Sequence, residues 1–197
     1  MRPAVPFLEL STQYRQIKSE IDRAIQDVLD CGVFVLGGQV EAFEKEFGAY
    51  LGVPYAVAVS SGTDALRLAL LGAGVGPGDE VITSALTAVA TVVAIEGAGA
   101  RAILVDIDPE TYTLDVSQVK SRLTPRTKAI VPVHLYGHPA GIEPLLAIAA
   151  CQGFEIVEDA CQAHGATYQG KKVGGLACSV ASASTLQRTS AATATAA

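Results

Sequence analysis

The chain has no concentration of positive charge: 14 lysines and arginines face 20 aspartates and glutamates, a net charge of −6, and the basic residues are scattered. That removes the electrostatic footprint of a nucleic-acid-binding surface and favours a small-molecule substrate. Long apolar runs are missing too. Thr91–Val105 is the best candidate, and Glu96 and Arg101 interrupt it, so no bilayer-spanning segment is expected. The start, MRPAVPFLEL, is too short and proline-broken for a signal peptide. The four cysteines, Cys31, Cys151, Cys161 and Cys178, form no CxxC pair, which predicts reduced thiols in a cytoplasmic protein. No nucleotide P-loop motif occurs, and no internal repeat. After Lys172 there is no lysine at all.

What remains is a chain of 197 residues, 50% hydrophobic, long enough to bury a core as one domain. Its apolar residues alternate between two periods. Gln13–Leu29 carries a helical stripe of Ile17, Ile21, Ala24, Ile25 and Val28, and Val40–Leu51 resumes a helix after Gly37 and Gly38. Strands are expected at Tyr55–Val59, Glu80–Thr83, Arg101–Val105, Lys128–Val133 and Phe154–Val157. Between them the pattern predicts a helix after Ser60-Ser61-Gly62 and others at Ala88–Glu96, Val116–Leu123 and Glu143–Gln152. Apolar strands alternating with helices indicate an α/β fold: a mainly parallel sheet with helices on both faces, and ligands at the carboxyl ends of the strands.

Two segments carry candidate chemistry. Ser60-Ser61-Gly62-Thr63-Asp64 joins a strand to a helix, and a helix start offers free N–H groups and a dipole that favours anions. Gly62 lets the backbone approach an oxyanion and Thr63 adds a hydroxyl; equally, Ser61 or Thr63 can simply cap the helix. Glu155–Gly165, EIVEDACQAHG, delivers Glu158, Asp159, Gln162 and His164 to the end of a buried strand. A lone carboxylate is costly to bury, so Asp159 either binds a metal, a ribose or a protonated ring nitrogen, or pairs with a nearby arginine or helix start. His134 and His138 lie four apart, but Gly137 and Pro139 forbid the helix that would make them a ligand pair, so no metal site is expected. Asp106 and Asp108 precede Pro109 and read as a turn.

Several strings carry a resemblance in the right order: SSGTDALRLAL, VHLYGHPA and VEDACQAHGATYQGKKVG, with FLELSTQYRQIKSEIDRAIQDVL and FVLGGQVEAFEKEFGAYLGV before them. Together they resemble the DegT/DnrJ/StrS family of pyridoxal-phosphate sugar aminotransferases from about Pro6 to Leu176. The resemblance implies an aspartate-aminotransferase-like (fold type I) large domain, incomplete here: residues 1–176 its amino-terminal part, 177–197 an aberrant low-complexity tail, the carboxy-terminal domain absent. It implies pyridoxal 5'-phosphate as cofactor, with Gly62 and Thr63 at its phosphate, Asp159 keeping the pyridine nitrogen protonated, Gln162 near its phenolic oxygen and His164 near the reacting centre. Where the family stacks an aromatic on the ring this chain has Ala88. The implied reaction moves an amino group from glutamate or glutamine to a nucleotide-linked keto sugar, in a homodimer.

The tail departs from that pattern. In the family, the EDxxQxHG segment leads to a stretch like FSFYPTKNLGxYGDGG, whose lysine forms the Schiff base. Here the chain reads SASTLQRTSAATATAA. Read one base out of register, its codons can spell FSFYPTKNLG-x-YGDGG, with the lysine codon straddling Gln187 and Arg188. The tail after about Leu176 is therefore expected to be a frameshifted reading of the lysine segment, and the chain as written to be inactive. Lys171 and Lys172 fall on a predicted hairpin and are not expected to replace that lysine. Two alternatives stand beside this one: a lysine-less dehydratase relative using His164 as base, and a non-catalytic regulatory or binding fragment.

Overall fold

A computed structural model describes residues 9–177 together with the backbone of residues 179–183 and 190–194. The chain divides into two compact units, Met1–Glu41 and Ala42–Ala197. In the first, α1 (Ser11–Cys31) ends at Gly32, whose left-handed backbone turns its N–H back to the Val28 carbonyl. No residue of α1 is buried; Ile17 and Ile25 of the expected stripe are exposed, as is Leu29. The helix was legible from its period, but a packing face was not. α2 runs Gly38–Leu51.

The second unit holds a sheet built from β1 (Val57–Val59), β2 (Glu80–Ser84), β3 (Arg101–Val105), β4 (Thr127–Val131), β5 (Glu155–Asp159), β8 (Ser179–Ala183) and β9 (Ser190–Ala194). Its helices are α3 (Gly62–Gly72), α4 (Val89–Gly97), α5 (Val116–Arg122) and α6 (Ile142–Gln152), and β6 (Thr167–Tyr168) pairs with β7 (Lys171–Lys172) in the expected hairpin. Strand order is β1-β9-β8-β5-β4-β2-β3. β3, β2, β4, β5 and β8 pair in parallel, and β9 is antiparallel to both its neighbours. The sheet does not stop at residue 176: backbone that was read only as low-complexity tail supplies two of its strands. Ladder pairing uses main-chain N–H and C=O groups, so a run poor in β-formers can still be drawn in between β1 and β5.

Side chains alternate across this sheet, and two apolar layers result. On one face Val81, Ala129, Val131 and Val157 pack with Leu66, Leu70, Ala94 and Ile95 of α3 and α4. On the other, Ile82, Ile130 and Ile156 pack with Val119, Leu145 and Ala149 of α5 and α6. The same alternation decides the fate of the two acids that end β5. Glu158 follows Ile156 to the α5–α6 face, and Asp159 follows Val157 to the α3–α4 face.

β2 leads outward to β3, while β4 lies on the other side of β2 and leads on to β5, so the order reverses between β2 and β4. That reversal opens a crevice at the carboxyl ends of the strands, the usual ligand site of such sheets.

Candidate active site

A cavity of about 320 Å³ sits at those strand ends. Ser61, Gly62 and Thr63 reach it from the start of α3, Thr87, Ala88 and Ala90 from the β2–α4 connection, Val133 from beyond β4, and Asp159, Cys161 and Gln162 from the end of β5. A larger hollow of about 850 Å³ lies on the flank between α5 and α6, lined by residues such as Val116, Lys120, Ile148 and Cys151. It contains no strand end and gathers no acid, so size alone does not make it the site.

The α3 start is capped and still offers donors. Ser61 is the N-cap, its hydroxyl accepting from the Asp64 N–H at 3.1 Å. The hydroxyls of Ser60 and Ser61 donate to the Asp64 carboxylate, which holds that carboxyl below the ordinary aspartate range. The capping reading of this segment holds: Ser61 satisfies the third N–H of α3, and Gly62 and Thr63 line the cavity at the positive end of the helix dipole.

Three acids of the described residues are buried, and their partners differ. Glu80, at the amino end of the sheet, is met by Arg126 (Nε 3.0 Å, Nη2 2.5 Å) and by the Thr124 hydroxyl at 2.6 Å. Glu158, with no exposure, accepts from the N–H groups of Gly174, Leu176 and Ala177 at 2.9, 2.8 and 2.7 Å, and from His134 Nε2 at 3.1 Å. His134 Nδ1 accepts from the Ala140 N–H at 3.0 Å, so the ring proton sits on Nε2 and points at Glu158. Burial pushes the Glu158 carboxyl up, but His134 and the backbone donors outweigh it and hold the carboxyl below the ordinary glutamate range.

Asp159 is the exception. It is 6% exposed, and among the described residues its carboxylate receives only the Thr91 hydroxyl at 3.0 Å and the Cys161 N–H at 3.3 Å. No lysine or arginine pairs with it among the described residues. A carboxylate has about four acceptor sites, so this one keeps acceptor capacity directed at a cavity it lines. A cationic donor brought by a ligand would complete it.

Gln162 lines the same cavity and accepts from the Tyr136 N–H through Oε1 at 3.1 Å, which leaves its Nε2–H₂ end to donate. Tyr136 lies in the turn Leu135–Gly137 with φ of 55°, a conformation rare for a non-glycine residue and found preferentially at functional sites. That turn also separates the two histidines: His134 is buried against Glu158 while His138 is exposed. No group of three or more potential metal ligands occurs among the described residues.

The structure thus brings Gly62, Thr63, Ala88, Asp159 and Gln162 to one cavity and leaves His164 out of its lining. His164 sits instead beside Phe47, ring centroids 6.3 Å apart. Glu158 also leaves the site, for the opposite face of the sheet. Sequence reasoning missed Thr91, which is 1% exposed on α4, and Cys161. A threonine within an apolar helix gives no signal until the strand it faces is known, whereas Cys161 lay inside a motif already singled out.

An α/β sheet whose strand ends hold a helix start and a buried acid at one cavity is the architecture of fold type I pyridoxal-phosphate aminotransferases, and solved structures of that class match it. S. venezuelae DesV, solved in complex with a ketimine intermediate, superposes with a TM-score of 0.94 at 43% identity, covering 98% of this chain and 54% of that one. NtdA from Bacillus subtilis, solved with bound cofactor PMP, gives a TM-score of 0.89 at 34% identity over 96% of this chain and 45% of NtdA. In sequence, the dTDP-3-amino-3,4,6-trideoxy-alpha-D-glucose transaminase of Streptomyces venezuelae is 49% identical over 172 residues, 87% of this chain and 45% of that enzyme. The chain belongs to the DegT/DnrJ/EryC1/StrS aminotransferase family, whose sequence pattern matches residues 15–187. It spans about half the length of the relatives it matches.

Proposed function

We infer that this chain is the amino-terminal part of the cofactor-binding domain of a pyridoxal 5'-phosphate-dependent aminotransferase. The complete enzyme would take an amino group from glutamate or glutamine and give it to a nucleotide-linked keto sugar, as a cytoplasmic homodimer. The single observation that carries the reading is Asp159: a buried carboxylate without a cation among the described residues, lining a cavity that a helix start also lines. The pyridinium N–H of the cofactor is the cation that completes this acid, and its phosphate is the anion that suits Gly62 and Thr63.

The chain's own residues then divide the work. Backbone N–H groups of Gly62 and Thr63, with the Thr63 hydroxyl, hold the phosphate. Asp159 holds a proton on the ring nitrogen, and Gln162 donates through Nε2 to the phenolic oxygen. Bound there, pyridoxal phosphate supplies an electron-accepting ring. Ala88 lines the cavity without an aromatic face, so ring stacking is not among the contacts this segment provides.

Among the described residues we find none placed to move the proton between substrate and cofactor. Lys172 donates to the Tyr50 carbonyl at 2.7 Å and lies over the Tyr50 ring, and Lys171 is exposed on the same hairpin. Gln187 and Arg188, where the shifted frame would place the lysine, lie outside the described residues. A dehydratase reading would need His164 as base, and His164 is not in the cavity lining. The chain as written is therefore expected to bind cofactor without turning over. The test is the absorbance of a mixture of the full chain with pyridoxal phosphate: on adding glutamate no pyridoxamine form accumulates, and a clear conversion to it would overturn the inactivity.

The frameshift is tested separately, by resequencing the coding DNA from the Glu155 codon past the stop. A single inserted or lost base that restores FSFYPTKN is the expected result. A clean frame would refute the frameshift and leave a non-catalytic fragment as the reading.

A further inference from the structure

Two threonines, Thr87 of the β2–α4 connection and Thr91 of α4, stand behind Asp159. Thr91 Oγ1 donates to Asp159 Oδ2 at 3.0 Å, and Thr87 Oγ1 lies 2.8 Å from Thr91 Oγ1. Thr91 is buried in the first turn of α4, the helix that gives Ala94 and Ile95 to one apolar layer, while Thr87 lines the cavity. A valine would fill the place of Thr91 with the same shape and no polar group to satisfy. A hydroxyl in such a layer is costly unless it is bonded, and Thr91 is bonded on both sides.

The direction of the relay follows from proton counting. An ionised carboxylate can only accept, so the single proton of Thr91 is committed to Asp159. The proton between the two hydroxyls must then come from Thr87. Thr87 consequently turns lone pairs, and no proton, toward its remaining neighbours. The other donor to Asp159, the Cys161 N–H, reaches Oδ1 at 3.3 Å, so Thr91 is the only hydrogen-bond donor to Oδ2 among the described residues. Without it only the long Cys161 N–H bond opposes rotation of the carboxylate about its last torsion, which is broad and roughly two-fold.

We propose that Thr91 is a positioning residue: backed by Thr87, it fixes the plane of the Asp159 carboxylate so that its free lone pair meets the ring nitrogen of the cofactor. This rests on the reading of Asp159 as the partner of that nitrogen. It assigns specificity for a protonated heterocycle to a hydroxyl that never touches the ligand.

The experiment compares two probes on the full chain by calorimetric titration: pyridoxamine 5'-phosphate, and its 1-deaza analogue, in which a C–H replaces the ring nitrogen. The original chain should prefer the nitrogen-containing probe by about 10-fold or more, the value of a charge-assisted hydrogen bond. Thr91→Ser, which keeps the hydroxyl, should retain that preference within about 2-fold, and Thr91→Val should lose about 5- to 10-fold of it, while the deaza analogue binds all three alike. Equal preference in Thr91→Val and the original chain would overturn the proposal. So would an equal weakening of both probes, which marks a residue that only packs. Circular dichroism checks the fold; if Thr91→Val does not fold, Thr87→Val, at the cavity wall, takes its place with an expected loss of about 2- to 3-fold, and an unchanged preference there overturns the relay. Failure of the cofactor reading itself shows earlier, in the original chain, as binding of neither probe or of both equally, and the positioning role falls with it.

Discussion

Replacing Asp159 by asparagine weakens pyridoxamine 5'-phosphate binding by about 10- to 100-fold, the range of a lost hydrogen bond to a charged group. The shape hardly changes, and the asparagine carbonyl can still accept from Thr91. What goes is the charge that holds a proton on the ring nitrogen. The same substitution should leave the ligand-free chain as stable as before or slightly more so, because it removes a buried carboxylate that no cation balances. Opposite signs for binding and stability are the signature of a residue held ready for a ligand. Titration calorimetry and urea unfolding on one preparation measure both. If stability fell as far as binding, Asp159 would be a structural acid and the cavity would lose its assignment.

Its neighbour behaves in the opposite way. Glu158→Ala is expected to destabilise the chain by about 3 to 5 kcal/mol, the cost of leaving several buried donors without an acceptor at about 1 to 3 kcal/mol each, read as a lower urea midpoint at neutral pH. The substitution strands the His134 Nε2–H and the three N–H groups of Gly174, Leu176 and Ala177. Those N–H groups belong to the segment between the β6–β7 hairpin and β8, so local opening there should appear as faster proteolysis around residues 174–177. Glu158→Gln keeps an acceptor oxygen but sets an NH₂ against backbone donors, and should lose about 1.5 to 3 kcal/mol.

Acid gives a second reading of the same clamp. The Glu158 carboxyl is held below its ordinary value in the folded chain, so the folded state binds its proton less readily than the unfolded one. Its contribution is complete above the ordinary glutamate value and is lost as pH falls from there through the lowered folded value. Urea midpoints of the original chain should therefore decline across that acid range, and those of Glu158→Ala should decline less. Parallel curves would refute the clamp.

Much of this was legible in the chain itself. Period-two apolar runs at Glu80–Thr83 and Arg101–Val105 and period-3.6 runs at Val116–Leu123 and Glu143–Gln152 placed strands and helices within a residue or two of where they stand. They could do so because local periodicity reports which backbone buries one face. Gly62, Thr63, Ala88, Asp159 and Gln162 were legible as a set through the order of motifs, and they line one cavity.

Tertiary structure decided what no period encodes. The sequence presents Glu158 and Asp159 as equivalent acids; the pleat of β5 sends one to a cage of donors and the other to an open cavity. It also decided that His134 is a structural donor with no ligand role in view, that His164 stands beside Phe47 outside the cavity, and that Thr91 meets Asp159 across 68 positions of sequence. Contacts of that separation depend on strand order, and strand order is fixed only when helices on both faces have found their packing. The sequence by itself determined which elements form and which residue types are at hand; the packed sheet alone decided which carboxylate is left with a free lone pair.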